Sequence, residues 1–410
     1  MAEVKKLTIK DAIKKINKAC KDWNILDSGN FSQNLKKLSL GTLGFDFPFK
    51  GGLPYGQIIT FSGVEHSGKS TAAALAIAKY QEENPDKVCV YVDAENTLLT
   101  QAEYFQSISN INYEPEHFVR YDCTGRSAEE IFQDLIMLQE CDEIGMIVID
   151  SARALISQAD LDNDFVKDNG QRASVAKPIG KFIKQMMMYL PKRNNILLIL
   201  NQVTVEKGMF STTYTEPGGY ALKYFPSVKV RFGTRTYTKE DKTDITQSKV
   251  DDTIDGIRLH FAIVKSRLNA INKDGGFITV RYNKGVDTVF DLLEVALKAK
   301  LIETPTNKCY VLRNLLTDEV YKDESTQEDL CFEASRGEDA YNALNNYLKT
   351  HPKFVKEFSN MINTHISKIK TSINLIDENI VNDLMSQEDA LCGSEMTQAE
   401  ALAADGVEDE

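Results

Sequence analysis

The residues Gly63 to Thr71, "GVEHSGKST", stand between the apolar, β-prone run "QIITFS" and the Ala-rich run "AAALAIAKY". Gly63, Gly68, Lys69 and Ser70 fit the spacing G-x-x-x-x-G-K-[ST], with Val64, Glu65, His66 and Ser67 filling the positions between the glycines. Between a strand and a helix, such a loop closes its backbone N–H groups around phosphate oxygens. Lys69 then reaches the β- and γ-phosphates of a nucleotide, and Ser70 ligates Mg²⁺. The helix that opens at the loop, with Thr71 in its first turn, turns its positive dipole end to the anion. Without those flanks the same letters describe a glycine-rich turn with a surface lysine.

A phosphate loop of this kind implies an α/β fold, and three more runs fit one. "MIVID" ends in Asp150, followed by Ser151; a carboxylate at the tip of a buried parallel strand holds the metal's water shell, or else caps a helix. "VCVYVDAEN" ends in Asp93 and Glu95, either of which could serve as general base for a water attacking the γ-phosphate. "NILLILNQV" ends in Asn201 and Gln202, where an amide can bond a terminal phosphate and sense its loss. Buried runs with polar ends predict a mostly parallel sheet with its chemistry at the strands' carboxyl ends.

Two stretches without helical periodicity leave that edge, at about 158–174 and 203–219. Loops of that length in a compact domain are usually functional or disordered. The second carries Lys207, Phe210 and Tyr214 and ends in Gly218 and Gly219; the first carries Arg172. Cations interleaved with aromatics suit stacking on bases and gripping a backbone, although a plain surface loop has the same composition.

A net charge of −12 argues against a polyanionic partner only if it is spread evenly, which it is not. From Met1 to Leu40 nine lysines face four acids, a net charge of +5, and Ile9, Ala12, Ile13 and Ile16 recur at helical spacing. Ser394 to Glu410 has six acids and no base, which predicts a disordered acidic tail, either solubilising or competing for a basic groove. The seven cysteines are scattered without metal-ligand spacing, so reduced thiols are expected. Neither a signal-type run nor an apolar span near twenty residues is present, so a cytoplasmic protein away from membranes is expected. At 410 residues and 42% hydrophobic content the chain can bury a full core, in two or three domains.

In order and spacing, the phosphate loop, "DAEN", "VIDS", "LNQV" and "GGYALKYF" resemble the glycine-rich loop, D-A-E-H, V-D-S, I-N-Q and G-G-N-A-L-K-F of the RecA recombinase family. The resemblance runs from about Leu38 to Phe358, and the divergence would suit either a bacterial member or a phage-encoded relative. It implies an ATP-dependent recombinase that forms helical filaments on single-stranded DNA, hydrolyses ATP, and exchanges strands with homologous double-stranded DNA. A helicase-like motor or a protein-directed switch on the same core is the alternative. By resemblance Lys69 and Ser70 bind ATP and Mg²⁺, Asp150 is the Walker B acid, Glu95 becomes the catalytic carboxylate, and Gln202 the γ-phosphate sensor. Lys223, Lys265 and Arg267 match positions that reach a neighbouring protomer's ATP, the family's K-N-K being K-S-R here. Leu99 and Ala102 occupy the places of the family's adenine-stacking tyrosine and its preceding acid, leaving Tyr104 as the substitute.

The implied organisation is a basic oligomerisation arm at 1–38 and a RecA-like ATPase core at 39–303, with helices flanking its sheet and an antiparallel extension around Phe232 to Tyr282. A small C-terminal domain at 304–390 and the acidic tail at 391–410 follow. The charged stretch from Thr234 is expected to be a loop or hairpin insertion.

Overall fold

Strands buried on both faces favour near-continuous apolar runs, and "IGMIVID" and "ILLILNQ" keep to this up to their polar ends at the centre of one large sheet, where "IITFSG" also buries Thr60 and Ser62. The computed structural model describes Lys18 and residues 35–162, 175–207, 212–216, 219–239, 242–246, 249–251, 253–267, 275–314, 316–365 and 375–404. In chain order the strands of the main sheet and of a separate hairpin are β1 (Ile58–Gly63), β2 (Val88–Asp93), β3 (Phe118–Asp122), β4 (Ile144–Asp150), β5 (Ile196–Gln202), β6 (Thr204–Lys207), β7 (Thr212–Thr215), β8 (Val228–Phe232), β9 (Thr236–Lys239), β10 (Lys242–Ile245), β11 (Gly256–Ser266), β12 (Gly275–Arg281) and β13 (Gly285–Val286). The main sheet has the order β10-β9-β11-β8-β1-β5-β4-β2-β3, with β12 on β11 and β13 on β12. From β8 to β3 every neighbour is parallel. β11 joins β8 antiparallel and begins the extension; the stretch from Thr234, expected to be a loop or a hairpin, contributes β9 and β10 to it.

Period-two alternation sorts the core into two layers. Ile59, Phe61, Tyr91, Met146, Val148, Leu198 and Leu200 share one cluster with the Ala-rich helix α1 (Lys69–Glu83) and helix α2 (Thr97–Ser109). Val90, Val92, Ile147, Ile149, Leu197 and Ile199 point the other way, to α3 (Ala128–Leu138) and α4 (Ala176–Arg193), where Phe132 stacks on Phe182 at 4.5 Å. Ser127 opens α3 with a reciprocal capping box to Glu130.

The chain divides into Met1–Lys36 and Lys37–Glu410. In the first unit Lys18 is helical and exposed, while the apolar face at Ile9, Ala12, Ile13 and Ile16 lies outside the described residues. Leu38 belongs to the second unit: it is buried and pairs with Leu53 in a short antiparallel ladder. That puts the arm's boundary two residues before the expected 38.

Residue 303, the expected end of the core, falls inside the strand Ile302–Thr306. Helices α6 (Gly337–Thr350) and α7 (Pro352–His365) bury Leu344, Leu348, Phe358 and Ile362 in one cluster with Ala262, Phe277, Leu292 and Leu293. The C-terminal region therefore shares its hydrophobic core with the sheet's extension. The tail also differs from expectation: α8 (Glu378–Ala404) runs through residue 391 to Ala404. Charge suggested disorder there, but "SEMTQAEALAA" is rich in strong helix formers. Residues 405–410 lie outside the described residues.

Both long loops are partly regular. Gln158–Asp162 is a short helix, and 163–174 lies outside the described residues. In 203–219, β6 and β7 pair as an antiparallel hairpin and Gly219 opens the helix α5 (Gly219–Tyr224). Thr204, Val205, Thr212, Thr213, Tyr214 and Thr215 are β-branched or aromatic, which favours pairing over irregular loop.

Candidate nucleotide-binding site

β1, β2, β4 and β5 all end at one edge. There Gly63 is the cross-strand partner of Gln202, and Asp93 that of Asp150. The loop after β1 requires its glycines for space. A Cβ on Gly63 would meet the Phe232 carbonyl oxygen at 2.4 Å, and one on Gly68, whose φ is +92°, would meet the Leu259 side chain at 2.4 Å. Glu65 and His66 are exposed at the loop's crest, while Ser67, Lys69 and Thr71 are buried at its base.

Lys69 turns back into the loop. Its Nζ donates to the carbonyl oxygens of Gly63 at 3.1 Å and Val64 at 2.8 Å, with Ser67 Oγ at 3.4 Å. Burial pulls its pKa down to about 8, against the upward pull of Asp150, Glu95 and Glu65. A partly desolvated ammonium among carbonyls suits a polyphosphate, whose charge would restore the protonated form.

Ser70 Oγ donates to Asp150 Oδ2 at 2.9 Å, and the Tyr91 hydroxyl donates to the same oxygen at 2.5 Å. Burial raises the Asp150 pKa, and these two hydroxyls oppose the rise. A hydroxyl and a carboxylate beside a phosphate cradle are hard oxygen donors of the kind Mg²⁺ takes when most of its shell comes from phosphate and water. Among the described residues no three His, Cys, Asp or Glu side chains gather into a metal centre.

Asp93 and Glu95 differ in their partners. Asp93 is buried; Arg120 Nε donates to its Oδ2 at 2.7 Å and the Leu98 N–H to its Oδ1 at 3.3 Å. Both its oxygens are engaged away from a substrate. Glu95 is exposed at the edge, where Ser151 Oγ donates to it and Gln202 Nε2 lies 3.0 and 3.2 Å from its two oxygens. The sequence brought Glu95, Gln202, Asp150 and Ser70 into view separately, and the fold unites them. It missed Tyr91 and Arg120; an arginine within the strand "FVRYD" was the one available signal for the latter.

Tyr104 lies on α2, half-buried against the core, with Thr71, Arg235 and Tyr282 nearby. Burial raises its pKa. Lys265 Nζ donates to the carbonyl oxygens of Lys223 and Tyr224, at 3.1 and 2.6 Å, and Arg267 Nη2 to that of Tyr224 at 2.6 Å. The expected interface cations thus meet at the end of α5, where Tyr220 and Tyr224 stack and Lys223 lies 5.4 Å from the Tyr224 ring. Tyr214 is half-buried on β7 and Gly219 starts α5 at φ +54°. Lys207 ends β6, its side chain outside the described residues, as are Arg172, Phe210 and Gly218 altogether.

Comparison with known proteins bears on this site. The profile of the RecA N-terminal domain matches residues 7–287. Protein RecA of Colwellia psychrerythraea is 28% identical over 306 residues, covering 74% of this chain and 82% of that protein. Protein RecA of Rickettsia bellii is 26% identical over 352 residues, covering 85% of this chain and 90% of its own length. A solved RadB recombinase aligns with 61% of this chain and 98% of its own, at 18% identity and a TM-score of 0.41.

Proposed function

Because this chain belongs to the RecA family, we propose that it is a DNA-dependent ATPase that polymerises on single-stranded DNA and catalyses pairing and strand exchange with homologous double-stranded DNA. The observation that carries this reading is the continuity from Glu95 through Gln202 to the β6–β7 hairpin, which begins two residues after Gln202. Chemistry at the phosphate loop and a candidate DNA-contacting element are then adjoining parts of one strand end.

In this reading Lys69 binds the β- and γ-phosphates, and Ser70 with Asp150 holds Mg²⁺. When bound, the metal neutralises charge that develops on the phosphates. Glu95 takes the proton from the attacking water, with Ser151 orienting its carboxylate. Gln202 exchanges Glu95 for the γ-phosphate when ATP arrives and returns when it leaves. Tyr104 supports the adenine from beside Thr71. Lys223, Lys265 and Arg267 reach the neighbouring protomer's nucleotide, which makes the complete site a property of the filament. Lys207, Phe210, Tyr214, Gly218 and Gly219, with Arg172 from the first loop, hold single-stranded DNA by stacking and phosphate contacts that tolerate any sequence. Such a protein works in the cytoplasm, of a bacterium or of a phage's host.

The deciding experiment is ATP hydrolysis by the full chain with and without single-stranded DNA, with negative-stain images of the same samples. Stimulated hydrolysis together with filaments is expected. Hydrolysis indifferent to DNA, with rings or monomers on the grid, would replace this reading with a helicase-like motor or a protein-directed switch.

A further inference from the structure

Asn201 and Gln202 are consecutive on β5, so their side chains leave opposite faces of the sheet. Gln202 faces Glu95. Asn201, fully buried, donates from Nδ2 to Glu216 Oε1 at 3.1 Å. Glu216 immediately follows β7 and is the second foot of the hairpin whose first foot is Thr204. Its Oε2 accepts from Lys229 Nζ at 2.9 Å and Arg231 Nη2 at 3.1 Å. Both cations also meet Glu388 on α8, Lys229 at 2.7 Å. The side chains of Arg231, Lys229, Glu216 and Glu388 are 0, 4, 7 and 12% exposed.

Most of this charge-balanced cluster is fixed. Lys229 and Arg231 stand on β8, where Arg231 neighbours Ser62 and Ser62 neighbours Asn201 across the sheet. Glu388 is carried by a helix anchored through the buried side chains of Val381, Leu384 and Leu391. Glu216 alone belongs to the segment that leaves the sheet. Arg231 Nε and Nη1 are buried without an acceptor among the described residues, so the arginine has spare donors for a carboxylate in a second position.

We infer that Glu216 is a positioning residue: it latches the hairpin to the residue before Gln202, so that displacing Gln202 is felt at both feet of the hairpin at once. The inference rests on the proposed roles of Gln202 as nucleotide sensor and of the hairpin as a DNA contact. One foot follows Gln202 along the chain, and the other follows it through the Asn201–Glu216 bond on the opposite face. A strand end that moves with the nucleotide therefore turns the hairpin as a unit, and a two-position carboxylate is the bistable part that such coupling requires.

The test uses the full chain and the variants Glu216→Gln and Asn201→Ala. Glu216→Gln removes the latch's charge; Asn201→Ala removes its tie to β5 and leaves all four charges in place, which keeps the test open if the first variant does not fold. Single-stranded DNA affinity is measured with Mg²⁺ alone and with Mg²⁺ plus a non-hydrolysable ATP analogue, alongside thermal melting and DNA-free ATP hydrolysis. We expect each variant to lower the ratio of the two affinities at least about fivefold, with nucleotide-free affinity kept within about twofold. The double variant should do no more than either single one. A purely structural role would lower both affinities and the melting temperature together and leave the ratio alone, and that result overturns the inference. A parent protein whose DNA affinity ignores the analogue overturns the proposed function and this inference together; a coupled parent with unchanged ratios in both variants overturns the inference alone.

Discussion

Gln202 Nε2 lies 3.0 Å from one carboxylate oxygen of Glu95 and 3.2 Å from the other. The amide expected to sense the γ-phosphate is held by the acid expected to activate the water. On the proposed roles, ATP would have to separate the two before either acts.

Gln202→Ala should leave Glu95 its bond from Ser151 and remove the proposed sensor. DNA-free hydrolysis is expected to change little, while the rise of DNA affinity with ATP should disappear. An affinity that still rises as in the parent removes Gln202 from the coupling.

Glu95→Gln is expected to bind ATP normally and hydrolyse it about 10²- to 10⁴-fold more slowly, the usual contribution of a general base. Asp93→Asn should act through stability instead, because it weakens the bond from Arg120 at a buried site; about 2 kcal/mol of folding energy is expected to go. Thermal melts and single-turnover hydrolysis of both variants separate the roles, and fast hydrolysis by Glu95→Gln would assign the base elsewhere.

Lys69→Ala should abolish turnover without unfolding the chain, since the lysine's bonds go to its own loop. The parent has a pH signature as well. With Lys69 ionising at about 8 in the free protein, nucleotide affinity should be level below that pH and weaken above it, by up to about tenfold per unit. Binding near pH 8.5 should take up protons, measurable by calorimetry in buffers of different ionisation heat. The stability effect has the opposite sign: between about 8 and the ordinary 10.5 the unfolded chain holds more protons at this lysine, so its contribution to stability rises with pH.

Tyr104→Ala should raise the dissociation constant for ATP about 5- to 150-fold if the ring stacks on adenine, which is worth ~1–3 kcal/mol per base. Fluorescent-nucleotide titration against a second purine nucleotide checks this. Unchanged affinity would leave Tyr104 as a residue packed against the core.

Much of the sheet was legible because parallel strands leave a strong trace: β1, β4 and β5 must be apolar on both faces, and their polar ends mark one edge. The phosphate loop was legible because its glycines answer steric demands that few other sequences meet. Hidden features depended on contacts between residues distant along the chain. Nothing in "DAEN" distinguishes Asp93 from Glu95 until Arg120, on β3, takes the first of them. The hairpin at 204–215 leaves little trace because its strands are only four residues each, too short for a clear period. Beyond 391 the acidic composition masks the helix propensity of the same residues.

The α/β class, the phosphate loop and the family resemblance are legible in the chain, since backbone sterics and the burial of strands act locally and mark the letters. That Glu216 and Glu388 share Lys229 and Arg231, with the carboxylates 172 positions apart in the chain, follows from packing alone. A charge deep in a core is stable only with its partner, and that partner is chosen by where the strands and helices pack.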